Sequence, residues 1–256
     1  MSFLTFSHEA GVGTVSIDRP PANALNAELI GELGTILDAV IADPAVRCLV
    51  IASANPRFFM AGGDINKYAV LAPDELVALV ASYRATFQRL RGLRVPTIVV
   101  VDGHAQGGGA EMLLACDFRI IGSDAKIGFP EILLGGVPSA GGTQWLPPLV
   151  GYDRALELML TGRTIEHEEA MHLGLATRHA DDPLAEALRF AEQIAALPPV
   201  AVAHIKRCAG ATLAGDPEKG AAREDEATAA IGVTEEFRER VQAFLSRRRE
   251  RGKVAS

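Results

Sequence analysis

Three consecutive glycines and two carboxylates stand close together in the middle of the chain. Gly107–Gly109 follow the apolar run Thr97–Val101, a predicted strand, and lead into the helix-like run Ala110–Cys116. A glycine turn that opens a helix leaves backbone N–H groups unpaired, with the positive end of the helix dipole behind them. Such a turn can hold an anion, or an oxygen that becomes negative during a reaction. Glu111 lies in the first predicted helical turn, and Glu131 follows twenty positions later.

A second glycine turn, Ala61–Asp64, also follows a predicted strand. Two such turns can direct two N–H donors at one oxygen, and two carboxylates facing one water can supply a base and an acid if burial keeps one protonated. Each feature also has a structural interpretation. The glycine turns can simply connect strands to helices. Glu111 can stabilise its helix as an acidic residue in the first turn, near the positive end of the helix dipole. Glu131 can be an ordinary acidic residue in the loop that follows Pro130.

Six short motifs follow one another along most of residues 12–180. They are Arg19-Pro20-Pro21-Ala22-Asn23-Ala24-Leu25, Ala61-Gly62-Gly63-Asp64-Ile65, Gly107-Gly108-Gly109-Ala110-Glu111, Cys116-Asp117, Pro130-Glu131-Ile132-Leu133-Leu134-Gly135 and Gly141-Gly142-Thr143-Gln144. In this order and spacing they resemble the enoyl-CoA hydratase/isomerase (crotonase) superfamily, and most of all an enoyl-CoA hydratase.

The resemblance implies an α/β fold, a crotonase-like spiral of β-β-α units with a C-terminal helical trimerisation region. We place the spiral core, which carries the active site, at residues 1–197 and the helical oligomerisation region at residues 198–256. In this family the helical region lies across neighbouring subunits, so the resemblance implies a homotrimer, or a homohexamer built as a dimer of trimers.

The resemblance also implies the activity and its residues: syn addition of water to a 2-trans-enoyl-CoA, giving the 3-hydroxyacyl-CoA. The N–H groups of Gly63 and Gly108 stabilise the enolate, Glu111 orients and deprotonates water, and Glu131 protonates the α-carbon. The coenzyme A thioester is the substrate, with no metal and no redox cofactor. The residues that line the coenzyme A groove are Ala24, Leu25, Ala61, Asp64, Ile65 and Asn66.

The chain departs from the family pattern at four positions. Gly63 stands where many relatives have alanine, Asn66 where lysine is common, Ser139 where glycine is common, and Trp145 where arginine usually follows. These departures leave the acyl preference and the pathway open, although we interpret Trp145 as a packing residue. The run Arg247–Arg249 can contact coenzyme A phosphates or complement a helix dipole, and we favour the second interpretation.

Other functions stay open at this stage. An enoyl-CoA isomerase or an acyl-CoA thioester hydrolase would use only one of Glu111 and Glu131, and a non-catalytic acyl-CoA-binding relative would need neither. The presence of both favours a hydratase. The sequence lacks the serine-hydrolase, dinucleotide and metal-binding spacings, and we interpret His104 as a turn residue and not as a base.

Composition limits the remaining classes. The chain has 256 residues, 48% of them hydrophobic, and a net charge of −7, which argues against a nucleic-acid or membrane surface as its partner. Cys48, Cys116 and Cys208 are widely spaced in apolar surroundings and indicate buried thiols. No apolar run is long enough to span a membrane and no targeting pattern opens the chain, so we expect a cytoplasmic protein.

Periodicity predicts the order of the elements. The strands are predicted at residues 12–17, 48–52, 97–101 and 118–121. Asn26 is predicted to cap a helix with apolar Leu29, Ile30, Leu33, Ile36, Leu37, Val40 and Ile41. Pro73 opens a helix that carries Leu76, Val80, Tyr83, Phe87 and Leu90. Further helices are predicted at residues 152–160, 166–173, 184–196, 200–213 and 234–248, with a looser connection between Ala209 and Ala230.

Overall fold

The computed structural model describes residues 2–213 and 215–254, with side chains described for residues 2–211 and 215–248. The chain divides into two compact units, Met1–Ala196 and Leu197–Ser256. The first unit contains all the strands that the structure describes, and the second is helical. Among the helices described, none has the length and apolar character needed to cross a membrane.

Two β-sheets form the first unit. One has the strand order β1-β2-β3-β5-β7-β10 and the other the order β4-β6-β8-β9. Among the strand pairs of the described residues, β1–β2 and β8–β9 are antiparallel and the other six are parallel. The strands are β1 Leu4–Glu9, β2 Val12–Ile17, β3 Cys48–Ser53, β4 Phe58–Met60, β5 Thr97–Val101, β6 His104–Gln106, β7 Phe118–Ile121, β8 Lys126–Gly128, β9 Thr164–Glu166 and β10 Arg178–His179.

Twelve α-helices complete the described part of the chain. In the first unit they are α1 Ala27–Ala42, α2 Ile65–Tyr68, α3 Pro73–Arg91, α4 Gly108–Ala115, α5 Gly142–Trp145, α6 Pro147–Val150, α7 Tyr152–Thr161, α8 His167–His172 and α9 Pro183–Ala195, with a 3-10 helix at Pro130–Leu134. In the second unit they are α10 Pro199–Leu213, α11 Pro217–Gly232 and α12 Glu235–Val254.

Repetition of the β-β-α unit positions the site. In the pairs β3–β4, β5–β6 and β7–β8, the first strand joins the large sheet and the second joins the small one. The predicted parallel α/β fold with β-β-α units is therefore confirmed. Because β4 and β6 pair in parallel, the glycine turns that follow them leave the small sheet at neighbouring points.

The helix α1 shows how the sequence builds the core. The Asn26 side chain caps it by accepting a hydrogen bond from the Leu29 N–H at 2.9 Å, as predicted. Its apolar face, from Leu29 to Val40, is buried. Ile41 was predicted to share this face but is 54% exposed, because it lies at the edge of the apolar stripe at the end of the helix.

The prediction for the segment between β5 and the triple glycine missed one strand. The chain does not turn directly into the helix but first forms the strand β6, so His104 is a strand residue and not a turn residue. The helix α4 then begins at Gly108 and not at Ala110. A strand of three residues is too short to show the alternation by which strands are recognised.

The predicted looser connection between Ala209 and Ala230 was also wrong, because α10 continues to Leu213 and α11 occupies Pro217–Gly232. Asp216 caps α11 by accepting a hydrogen bond from the Lys219 N–H at 2.9 Å, and Pro217 occupies its first turn. Alanine and glutamate, which dominate this segment, are strong helix formers, and the scattered glycines concealed the pattern.

Candidate active site

The two glycine turns lie against each other. The Leu25 N–H donates to the Gly62 carbonyl at 2.7 Å, and the Asp64 N–H donates back to the Leu25 carbonyl at 2.9 Å, so the second turn is held as an isolated β-bridge. A Cβ built on Gly108 would lie 3.9 Å from the Gly63 nitrogen. The backbone of one turn therefore lies within van der Waals range of the other.

Both turns offer an unpaired N–H group. Gly108 is the first residue of α4, so its N–H precedes the hydrogen-bond ladder of the helix. Within the described residues, neither the Gly63 N–H nor the Gly108 N–H donates to another protein group. Gly107, with φ 52° and ψ −119°, makes the turn possible, because L side chains rarely adopt that conformation.

Glu111 lies deep in the site, and only 3% of it is exposed. Its Oε1 accepts hydrogen bonds from the Ala140 N–H at 2.7 Å and the Gly142 N–H at 2.9 Å. Burial raises the pKa of Glu111 to about 7 and repulsion from Glu131 adds to the rise, although these N–H groups oppose it. The carboxyl group therefore exchanges protons readily near neutral pH.

Glu131 reaches the same place from the 3-10 helix Pro130–Leu134. It is half-buried, and a Cβ on Gly107 would lie 3.0 Å from its Oε1. Its Oε2 is buried without a hydrogen-bond partner among the described residues. Burial raises the pKa of this carboxyl above its ordinary value. An unpartnered buried oxygen beside the glycine turn is a site at which a ligand or water can be bound.

The loop that holds Glu111 is braced by Trp145. A Cβ on Gly141 would lie 2.2 Å from the Trp145 ring, so the indole packs directly on the backbone of the loop. The guanidinium of Arg91 lies over the ring, 5.5 Å from its centroid. The packing role predicted for Trp145 is confirmed, and through Gly141 it supports the N–H groups that contact Glu111.

The residues predicted to line a coenzyme A groove come from two adjoining segments. Ala24 and Leu25 belong to the first, and the second consists of Ala61, Asp64, Ile65 and Asn66, of which Ala61, Ile65 and Asn66 are exposed. Arg19 joins the segments, because its guanidinium donates to the Ala24 carbonyl at 2.8 Å and to the Asp64 carboxylate at 2.9 Å. The structure thus brings all six residues to one edge of the site.

Sequence reasoning missed several supporting residues. Asn23 is fully buried with φ 54°; its Oδ1 accepts from the Arg19 N–H at 2.7 Å and its Nδ2 donates to the Phe59 carbonyl at 3.1 Å. Asparagine tolerates the left-handed region, which was the available signal. Tyr68, beside Gly63, carried no signal in the sequence, and Tyr83, beside Leu25, was predicted only as a residue of the helix that Pro73 opens.

Other predicted features lie elsewhere. Cys48 and Cys116 are buried, whereas Cys208 is half-buried, so the prediction of buried thiols holds for two of the three. Arg247 and Arg248 lie on α12 in the second unit, and the side chain of Arg249 lies outside the described residues. The residues with described side chains contain no cluster of three His, Cys, Asp or Glu side chains suited to a metal ion.

Known proteins resemble the chain over nearly its whole length. The family model described as enoyl-CoA hydratase/isomerase matches residues 7–252. A probable enoyl-CoA hydratase of Rhizobium meliloti is 37% identical over 249 residues, which are 96% of each chain. A crotonyl-CoA hydratase of Syntrophomonas wolfei is 34% identical over 249 residues, with the same coverage.

Solved structures agree with the sequence comparison. The crystal structure of an enoyl-CoA hydratase from Bacillus anthracis matches with a TM-score of 0.91 at 32% identity, covering 96% of each chain. The spiral of β-β-α units and the helical C-terminal region are thus common to both. The chain belongs to the enoyl-CoA hydratase/isomerase family and has the fold of the crotonase superfamily.

Proposed function

We propose that this protein is an enoyl-CoA hydratase that adds water syn across a 2-trans-enoyl-CoA and releases the 3-hydroxyacyl-CoA. One observation carries the proposal: two carboxyl groups with raised pKa values lie beside two unpaired backbone N–H groups. An isomerase or a thioester hydrolase of the family would need only one of the two carboxyl groups.

The N–H groups of Gly63 and Gly108 bind the thioester oxygen in the proposed mechanism. Attack of water at the β-carbon moves charge onto this oxygen as an enolate, and preorganised donors stabilise that charge more than they stabilise the substrate. One such donor typically contributes about 3 to 4 kcal/mol of transition-state stabilisation. The closeness of the two turns supports this role, because both N–H groups then serve one oxygen.

Glu111 and Glu131 divide the proton transfers. The Oε1 of Glu111 is held by two N–H groups, which fixes the carboxylate while its second oxygen accepts a proton from water. Glu131, whose pKa is raised by burial, delivers a proton to the α-carbon. Glu111 ends the cycle protonated and Glu131 ionised, and exchange with solvent restores both.

The substrate binds through its coenzyme A portion in the groove formed by Ala24, Leu25, Ala61, Asp64, Ile65 and Asn66. The ion pair of Arg19 with Asp64 supports this assignment, because it fixes the two segments of the groove relative to each other. The proposed reaction uses no metal ion and no redox cofactor, since all of its steps are proton transfers and addition of water.

We also propose that the protein assembles as a homotrimer or a homohexamer through its second unit. Four apolar side chains of α12, Phe237, Val241, Phe244 and Leu245, are each at least 39% exposed in the single chain and repeat at helical spacing. Such a row supports contact with another copy. Light scattering on the purified protein tests this, and a monomer would contradict it. A cytoplasmic location stays a prediction.

The decisive experiment follows the enoyl-thioester absorbance of crotonyl-CoA. We expect wild-type protein to remove this absorbance and form 3-hydroxybutyryl-CoA, identified by chromatography. The same mixture is assayed for free thiol, and 3-butenoyl-CoA is offered in parallel. Release of thiol would instead support a hydrolase, and conversion of 3-butenoyl-CoA to crotonyl-CoA without hydration would support an isomerase.

A further inference from the structure

Tyr68 fills the space that a side chain at position 63 would need. A Cβ built on Gly63 would lie 2.1 Å from the Tyr68 hydroxyl oxygen and 2.5 Å from Cζ. Atoms at such distances overlap, so residue 63 can be alanine only if the Tyr68 ring moves away. This contact gives a physical reason for glycine where many relatives have alanine, and it brings a phenol to one of the two oxyanion donors.

The rest of Tyr68 is arranged to hold the hydroxyl there. Tyr68 ends the short helix α2, in which no residue is fully buried, and its ring packs against the core. Its hydroxyl interacts with the hydroxyl of Tyr83, a residue that is 2% exposed. The Tyr83 hydroxyl lies 3.2 Å from the Leu25 carbonyl, which also accepts the Asp64 N–H at 2.9 Å.

The positions of the two hydroxyl protons of Tyr68 and Tyr83 decide whether Tyr68 can donate a hydrogen bond to a bound molecule. Each phenol has one proton. When Tyr83 donates to the Leu25 carbonyl, Tyr68 donates to Tyr83. When Tyr83 turns its proton to Tyr68, the Tyr68 proton becomes available to a bound molecule. This change leaves no acceptor unpaired, because the Leu25 carbonyl keeps the Asp64 N–H.

The distance allows Tyr68 and Gly63 to serve the same oxygen. By standard geometry a Cβ lies about 2.5 Å from its own backbone nitrogen, so the Tyr68 hydroxyl lies within about 4.6 Å of the Gly63 nitrogen. One oxygen can accept from both groups at ordinary hydrogen-bond lengths of about 2.9 Å. Burial and the nearby carboxylates of Glu111 and Glu131 raise the pKa of Tyr68, so the phenol stays protonated as a donor.

We propose that the Tyr68 hydroxyl donates a third hydrogen bond to the thioester oxygen of the bound acyl-CoA, beside the N–H groups of Gly63 and Gly108. Tyr83 acts as a positioning residue through Tyr68. The proton stays on Tyr68 throughout, so no bond is made or broken at the phenol. This inference rests on the proposed function in using the same acyl-CoA site, and it names a residue that the two-donor scheme lacks.

The first test compares Tyr68→Phe with wild type in two ways. We expect kcat for crotonyl-CoA hydration to fall roughly 10- to 100-fold with KM changed less than about 3-fold, because the donor acts mainly on the enolate. We also expect the infrared stretch of bound butyryl-CoA, labelled with ¹³C at its carbonyl, to move toward the value of the free thioester. Tyr83→Phe should shift both quantities in the same direction, but less. Tyr152→Phe, an exposed tyrosine of the same unit, is the matched control and should change neither.

The second test uses the contact between Tyr68 and Gly63. Gly63→Ala should lower kcat at least as much as Tyr68→Phe, because the methyl group displaces the ring. In a Tyr68→Ala background, Gly63→Ala should change kcat less than about 3-fold, since no ring remains to be displaced. Such non-additivity is the mark of direct contact. Additive losses would contradict the coupling of the two residues.

The outcomes separate this inference from the proposed function. One outcome is that Tyr68→Phe does not differ from wild type in kcat or in the carbonyl stretch, while wild type still hydrates crotonyl-CoA. In that case the proposal of a third donor is wrong and the proposed hydratase function is retained. If Tyr68 polarises the bound carbonyl in wild type but no enoyl-CoA is hydrated, the proposal of a third donor is retained and the proposed hydratase function is wrong. If Tyr68→Phe only widens the range of acyl chains, without a change in the stretch, Tyr68 is a steric limit and the proposal fails.

Discussion

Glu111 and Glu131 are the same residue type at the same site, but they are held in different ways. Glu111 projects from α4, is almost wholly buried, and has one oxygen fixed by the N–H groups of Ala140 and Gly142. Glu131 projects from a five-residue 3-10 helix, is half-buried, and has one buried oxygen without a partner among the described residues. Two carboxyl groups of the same kind therefore have different surroundings. Backbone N–H donors hold the carboxyl group of Glu111, whereas one oxygen of Glu131 has no such donor among the described residues.

The different donors around the two carboxyl groups bear on which of them acts as the base and which as the acid. Donors fixed on Glu111 favour its ionised form against the cost of burial, which keeps the pKa at about 7 and makes proton uptake from water accessible. Glu131 lacks such donors on Oε2, so burial favours its protonated form. The two carboxyl groups therefore differ in the donors that hold them, and burial raises the pKa of both.

The largest expected effect is on turnover. Glu111→Gln and Glu131→Gln should each lower kcat for crotonyl-CoA hydration by about 100-fold or more, the contribution of a positioned base or acid. Stopped-flow absorbance measures both, with Glu157→Gln, an exposed glutamate of the same unit, as the control. Near-normal turnover in either variant would contradict the assignment of one glutamate as the base and the other as the acid.

Stability as a function of pH should distinguish the two glutamates. The pKa of Glu111 rises from an ordinary value of 4.5 to about 7 on folding, so its contribution to stability is complete below about pH 4.5 and is lost as pH rises through 7. The shift corresponds to about 3 kcal/mol. Glu111→Gln should therefore be more stable than wild type at pH 8.5, with the gain vanishing near pH 4.5. Denaturant unfolding at both pH values measures this, and the half-buried Glu131 should give a smaller gain.

The backbone N–H groups that hold Glu111 should also be needed for activity. A Cβ on Gly142 would lie 2.6 Å from Pro138 Cβ and 3.2 Å from the Glu111 Oε1, so Gly142→Ala should displace the N–H that fixes Glu111. We expect kcat to fall roughly 10-fold, the cost of weakening one charge-assisted hydrogen bond. Gly31→Ala, on the exposed face of α1 with nothing within 4 Å of the added Cβ, is the control. Equal activity of the two variants would show that the loop does not act through Glu111.

The smallest expected effect is in the pH profile. The value of kcat/KM should rise with an apparent pKa near 7 as Glu111 ionises. Because the carboxyl groups repel each other, this apparent value belongs to the pair. Glu111→Gln should remove the rising limb from its residual activity. A rising limb that survives in this variant would assign the base to another group.

Sequence indicated the parts of this site that depend on local chemistry. The triple glycine, the two glutamates and the Asn26 cap each follow from residue type and spacing, and the structure places them as β-β-α units require. The strand β6 was missed because three residues show no period, and α11 was missed because glycines obscured its helix formers.

What sequence did not indicate depends on contacts between distant residues. Tyr68 looks like any residue of a short helix until folding sets its hydroxyl against Gly63. The support of Glu111 by Ala140 and Gly142 joins positions about thirty apart, and no spacing rule predicts that contact. Arg19 likewise acquires its role only when Ala24 and Asp64 meet.

The most direct measurement is exchange of the α-protons of butyryl-CoA in D₂O, followed by NMR. This substrate cannot be hydrated, so exchange reports only the acid–base group at the α-carbon and the oxyanion donors. We expect exchange with wild type, loss of about 100-fold or more in Glu131→Gln, and retention within about 10-fold in Glu111→Gln. Equal loss in both variants, or exchange that survives Glu131→Gln, would contradict the division of roles between the two glutamates.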